Sequence, residues 1–183
     1  MFNKKNRIMK KILLVAVIAV MSLTASAQVY LGGSLGTWRN YDANTTSVTI
    51  LPEVGYTLSD NWAIGTVIGW NYRYNAGQKY NGLTVAPYVR YTFLKLDNVN
   101  VFVDGGFGFY TGKVKGFDAQ NEWEVGLKPG VAVNLTDKLS FVTHVGFLGY
   151  RKADDAALGV FGNDGFGFDL DGNALTFGLY YNF

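Results

Sequence analysis

Six ionisable side chains, Glu53, Arg90, Asp104, Glu124, Lys128 and His144, sit several residues away from short Asp-containing turns, on segments otherwise rich in Gly, Ala and Thr. Charges held away from bulk water must pair or stay hydrated. Two uses fit such a set. One is a structural plug of salt bridges and hydrogen bonds. The other is a gate, in which exchange of partners opens a narrow path for water or ions. His144 is the sole histidine, and catalysis through it needs a nucleophile in reach of the imidazole. In an extended segment its same-face neighbours are Val142 and Gly146, and neither is a nucleophile. No catalytic residue and no cofactor are expected. The acidic stretch 154–173 offers Asp154, Asp155, Asp164, Asp169 and Asp171 as oxygen donors, but its DLDGN segment lacks the ligand spacing of a calcium loop. No metal ligand is assigned. GGFGF, 105–109, lies inside a strand pattern rather than between a strand and a helix, which argues against a phosphate cradle.

The elements that carry these residues alternate with a period of two. Eight segments follow that pattern: 28–39, 47–58, 62–73, 82–94, 99–113, 122–135, 139–151 and 173–183. Each runs well beyond the usual strand length of about 5–6 residues and reaches the roughly 9–11 that cross a bilayer. Connections alternate between short (59–61, 95–98, 136–138) and longer (40–46, 74–81, 114–121, 152–172). The fold class this predicts is all-β: an eight-stranded antiparallel up-and-down transmembrane barrel. A repeat supports it. PEVGYTLSDNW, PYVRYTFLKLDN and PGVAVNLTDKL each start at one of the three prolines, Pro52, Pro87 and Pro129. Each then carries an apolar residue six positions on, at Leu58, Phe93 or Leu135. Proline removes a ladder hydrogen bond, so a bulge or a locally unpaired position is expected at each.

One face of every segment is apolar. Residues 62–72 set Trp62, Ile64, Ile68, Trp70 and Tyr72 against Ala63, Gly65, Val67 and Gly69. A soluble carrier of the lipocalin kind alternates too, with its apolar face inward. The composition of the weaker face separates the cases. Water would demand Lys and Glu there, whereas Gly, Ala and Thr suit the crowded interior of a narrow barrel. Aromatics also gather at both ends of the apolar face, as two interfacial girdles would. Trp62, Tyr91, Phe93, Tyr181 and Phe183 fall near the short turns, and Trp70, Tyr72, Phe109 and Trp123 near the longer loops.

The amino-terminal region is basic over 3–11, apolar over 12–23 and small at Ala25–Ala27, the pattern of a secretory signal peptide cleaved after Ala27. A membrane anchor is the alternative, and the apolar run is short for one. The expected mature domain, 28–183, carries 11 basic and 14 acidic residues, a net charge of −3. That charge leaves no footprint for nucleic acid. The chain has no cysteine, hence no disulfide framework.

With these features, and with YYNF at 180–183, the chain resembles the small OmpX/OmpA-type outer-membrane β-barrel superfamily of Gram-negative bacteria, over essentially all of 28–183. The resemblance implies location in the cell outer membrane, contact with its lipid, and a final strand read by the barrel-assembly machinery through Phe177, Leu179, Tyr181 and Phe183. It implies a non-enzymatic role in envelope structure, or surface interaction with an unidentified partner through loops 40–46, 74–81, 114–121 and 152–172. A narrow pore remains the alternative.

Overall fold

A computed structural model of the chain describes residues 29–42, 44–75, 77–114, 116, 118–154, 164–170 and 176–183. The expected signal peptide, 1–27, lies outside the described residues. Ten strands form one sheet: β1 (Val29–Asn40), β2 (Thr45–Thr57), β3 (Trp62–Asn75), β4 (Gln78–Lys95), β5 (Val99–Val114), β6 (Ala119–Asn134), β7 (Leu139–His144), β8 (Phe147–Ala153), β9 (Gly165–Asp169) and β10 (Thr176–Asn182). Every pairing is antiparallel. β1 to β6 pair in sequence order, β6 pairs with both β7 and β8, and β10 bridges β7 and β1. β7 with β8 makes the seventh staves of the wall and β9 with β10 the eighth, so the sheet closes as an eight-stranded antiparallel barrel.

The expected strand over 139–151 is broken at Val145–Gly146. The cause is Pro129 on the neighbouring strand. Gly130 pairs with His144, yet Leu127 pairs with Leu148, so β7–β8 holds one extra residue across the interruption. Pro129 has no N–H to give; its carbonyl still accepts from Val145 N at 3.0 Å. The other two prolines leave gaps without a shift. β2–β3 pairing is interrupted between Ile50 and Glu53, around Pro52, and β4–β5 pairing between Val85 and Tyr88, around Pro87. Each proline thus lacks a ladder bond on the side of the following strand and pairs normally with the preceding one, at Gly33, Thr66 and Val103. The turns repeat as well. Leu58 N and Ser59 N both reach Trp62 O, at 2.8 and 3.1 Å, while Leu135 N and Thr136 N reach Leu139 O at the same distances.

Three of the expected long loops are shorter than the sequence suggests. β3 and β4 continue until Asn75 opposes Gln78, with Gly77 at φ 96° in the turn. β5 and β6 continue to Lys113 opposite Ala119. β1 and β2 meet at Asn40 opposite Thr45. Tyr74 and Tyr80 therefore sit in strands. An antiparallel ladder persists wherever backbone groups pair; the apolar alternation marks only the part with an apolar outer surface. In the expected loop 152–172, Gly165–Asp169 is a strand paired with β8. Asp155 and Asp171, singled out above, lie outside the described residues.

The apolar face points outward and the small, mixed face inward, opposite to a lipocalin. Inside, rings lie on glycines across the strand pairs. Tyr30 opposes Gly55, Tyr88 opposes Gly65, Phe102 opposes Gly130 and Tyr180 opposes Gly32. A methyl at Gly130 would meet the Phe102 ring at 2.4 Å and the Thr143 carbonyl oxygen at 2.7 Å. Gly130→Ala is therefore expected to lower barrel stability by about 1–3 kcal/mol. Gly36→Ala, where nothing lies within 4 Å, should leave it nearly unchanged. Urea midpoints scored by unboiled gel mobility compare the two.

Candidate functional site

The lumen is crossed by one dense layer. Arg90, on β4, donates through Nε to Asp104 Oδ1 and through Nη2 to Asp104 Oδ2, both at 2.7 Å. The cross-strand register makes this pair direct, since Arg90 opposes Asp104. The same guanidinium lies 3.8 Å from Glu53 Oε1. His144 Nε2 is 2.8 Å from Asp104 Oδ2. Glu53 accepts from Tyr88 and, at 2.5 Å, from Tyr180. Tyr30 and Tyr88 share a hydroxyl contact of 2.6 Å. The guanidinium carbon sits 4.0 Å from the Phe102 ring centroid, with Tyr88, Tyr30 and Tyr180 between 5.2 and 5.9 Å. The layer draws side chains from six wall strands, and β3 and β6 contribute Gly65 and Gly130, on which rings lie.

A second cluster stands apart. Glu124, buried, accepts from Lys128 Nζ at 2.5 Å and from Arg151 Nε at 3.1 Å. Arg151 stacks on Phe147 at 3.9 Å. All six ionisable residues read from the sequence face the lumen, but they do not form one layer. Glu53, Arg90, Asp104 and His144 join; Glu124 and Lys128 go with Arg151. Lys128 opposes Asp104 across β5–β6, yet its long side chain runs along β6 to Glu124. The sequence reading missed Arg151 and the rings of Tyr30, Tyr88, Phe102 and Tyr180. Large residues on a face otherwise made of Gly, Ala and Thr were the available signal.

The layer divides the lumen into two cavities, about 620 Å³ towards the loops and about 180 Å³ towards the short turns. Tyr180 and Val142 line both. Nearer the loops, Tyr80 and Tyr110 stack at 6.1 Å and Glu122 is buried. On the outer surface Trp62 packs on Tyr91 at 4.6 Å and Tyr181 meets Phe183 edge-on at 5.1 Å. Phe93 is exposed between Thr92 and Leu94, where the β4–β5 register shifts. Trp70 stacks with Tyr72 at 5.9 Å, and Trp123 contacts Phe107 and Tyr150 at 6.3 and 5.3 Å. Phe177 stacks on Phe141 at 5.3 Å, with Leu179 exposed one pleat on. Eight residues separate Trp62 from Trp70. At about 3.3 Å per residue and a tilt near 40°, that is a band about 20 Å tall, close to the apolar band of an outer-membrane barrel.

At the rim, Asp154 Oδ2 accepts from Asn121 N at 2.8 Å, and Asp164 accepts from Lys152 Nζ and Ala153 N at 2.8 and 2.7 Å. These acids serve as clips. Among the described residues no three His, Asp or Glu converge as a metal site.

Fold and lumen together define a small membrane β-barrel with a filled cross-section. The family model for the outer membrane protein beta-barrel domain matches residues 12–183. The chain belongs to that family of outer-membrane proteins. A comparison with curated proteins found no match.

Two expectations follow. Arg90→Ala leaves Asp104 with His144 alone and Glu53 with only the Tyr88 and Tyr180 hydroxyls, two buried carboxylates without their guanidinium, a loss of about 3–5 kcal/mol. Lys128→Ala should cost less, since Glu124 keeps Arg151 and Lys128 is partly exposed. Unfolding midpoints in detergent rank the two. Separately, the Lys152 ammonium, helped by the Ala153 amide, holds the Asp164 carboxyl below its usual range. A depressed carboxylate stabilises above its unfolded pKa and loses that contribution as pH falls through the folded value. Protection of the Ala153 amide, its exchange measured against the intrinsic rate at each pH, should therefore hold at neutral pH and fall only at pH below the ordinary carboxylate range.

Proposed function

We propose that this barrel is a non-enzymatic, plugged protein of the outer membrane, serving envelope structure or contact at the cell surface rather than open transport. The observation carrying this reading is the Arg90 layer, which fills the lumen with paired charges and rings between the two cavities. Its hydrogen bonds are charge-assisted and its cation is enclosed by four aromatic rings. Among the described residues, the contacts His144 makes are with Asp104 and the Phe102 ring, in line with a structural use of the imidazole. Its ring nitrogen is engaged by Asp104, and Ser140, an inward serine on the same strand, donates to Asn134 Oδ1 at 2.9 Å. Surface contact would fall to the strand ends and tight turns at 40–45, 75–78 and 114–119, where Tyr41 is exposed beside Arg39.

One observation favours the second reading, a gated narrow pore. Only one layer separates the two cavities, and Arg90 touches two acids, Glu53 and Asp104, in unequal geometry. A shift of the guanidinium towards Glu53 would loosen the layer. Planar-bilayer recording decides between the readings. The unaltered protein should give no channel events, and Arg90→Ala combined with Tyr180→Ala should give small steady conductance. Frequent openings of the unaltered barrel would favour the pore.

A further inference from the structure

The outward face of the wall carries charge at one end only. Glu53, Asp104, Glu122 and Glu124 are buried in the lumen, and Asp169 opposes the buried Phe147. Among the described residues no other Asp or Glu lies within a strand, so the outward face of the strands holds no acid. It does hold Arg39, Lys79, Lys113 and Lys152. Each of these stands one residue from the loop end of its strand. At the short-turn end the outward residues, Tyr56, Trp62, Phe93, Val133 and Tyr181 among them, are uncharged.

Two of the four cations are engaged within the chain. Arg39 donates to Thr46 Oγ1 and Asn44 Oδ1, both at 2.9 Å, and Lys152 pairs with Asp164 at 2.8 Å. Lys79 and Lys113 are exposed, and neither ammonium bonds to a described residue. The two adjoin. Lys113 opposes Asn81, which makes Lys79 its diagonal neighbour on the outer face, about 7–8 Å away. Like charges at that spacing repel, and an anion between them reverses the sign. Their height is also defined. Leu83 opposes Trp70 of the girdle on one side and Thr111 on the other. Lys113 and Lys79 lie two and four residues beyond that rung. At about 3.3 Å per residue and a tilt near 40°, they stand roughly 5 to 10 Å outside the apolar band, where lipid head groups lie.

We propose that Lys79 and Lys113 together bind one phosphomonoester of a glycolipid in the leaflet on the loop side, the group that lipid A of a lipopolysaccharide presents. A phosphomonoester carries about −1.5 to −2 charges at pH 7 and three acceptor oxygens, which two ammonium groups match; a phosphodiester brings a single charge. Tyr74, opposite Lys79, and Asn81, opposite Lys113, set a ring and a carboxamide beside the pair for the sugar that bears the phosphate. Below them the exposed Leu83 and Phe109 meet the acyl chains. The short-turn rim has no outward strand cation to offer, so the site favours one leaflet. It stands on the outer surface and is independent of whether the Arg90 layer plugs or gates the lumen.

The test uses the barrel in phosphatidylcholine nanodiscs containing a minor fraction of lipid A, of dephosphorylated lipid A, or of phosphatidylglycerol. A water-soluble amine reagent acetylates exposed lysines, and mass spectrometry reads the rate at each. Lipid A is expected to protect Lys79 and Lys113 and to leave Lys152, already held by Asp164, little changed. Lys79→Gln should raise the lipid A fraction that half-protects Lys113 by about threefold, the effect of losing one exposed ion pair, and Lys113→Gln should do the same at Lys79. The boiled-to-unboiled gel shift checks that each variant is folded. Equal rates with and without lipid A in the unaltered protein would overturn the site, and that comparison needs no variant. Equal protection by phosphatidylglycerol or by dephosphorylated lipid A would overturn the phosphomonoester. A half-point at one lysine that ignores the loss of the other would overturn the shared phosphate.

Discussion

A backbone amide inside a bilayer has no water to bond, and the architecture follows from that single constraint. A sheet meets it only by closing on itself, and eight strands close around a space barely wider than its own side chains. The lumen then has to be filled. Tyr30, Tyr88, Phe102 and Tyr180 fill it, and they fit because Gly55, Gly65, Gly130 and Gly32 stand opposite them. The glycines cost strand propensity. They are retained because a Cβ at those positions would occupy the volume of a ring.

The charged layer raises a harder question. A buried ion pair is often no more stabilising than a well-packed apolar substitute. An apolar plug would satisfy the packing, but it would blur the difference between the two faces of each strand. A one-residue slip exchanges those faces. With Glu53, Arg90, Asp104 and His144 on one face, a slip would expose charges to hydrocarbon. The layer therefore penalises the wrong register heavily, whatever it adds to the right one. Asp104 carries this specificity most directly, because it joins Arg90 across β4–β5 to His144 beyond β6.

Much of this was legible in the sequence, for identifiable reasons. The period of two, the aromatics ending each apolar face and the proline repeat are local and survive without coordinates. So does the inward direction of the ionisable residues, because alternation fixes it. What alternation cannot give is height across strands. Barrel strands are tilted and staggered, so residues equally far from their own turns stand at different levels. That is why Glu124 and Lys128 form a cluster separate from Arg90. The upper boundaries failed for a different reason. Tyr74, Tyr80 and Gly165–Asp169 lie in strands whose polarity no longer alternates strongly, or whose glycines resemble a loop, and only their ladder partners reveal them.

The three prolines tie these levels together. Each lacks a ladder bond towards the following strand, so the wall carries three weak seams at corresponding places in its repeat. Two keep register. The third, at Pro129, gains a residue in β7–β8, and the adjoining staves are the ones built from two short strands each. Gly33 lies opposite Pro52 and is the last β1 residue to pair with β10. Among the described residues the register thus shifts at Pro129 and again within β4–β5 between Thr92 and Leu94, while β1–β2, β2–β3, β3–β4 and β5–β6 keep theirs. The Pro129 irregularity abuts the Arg90 layer, since Gly130 takes the Phe102 ring and pairs with His144, and Gly33 follows Gly32, on which the Tyr180 ring lies. The rings and charges of the layer are thus packed where the ladder is least regular, and side-chain bonding joins strands there that the backbone joins less completely.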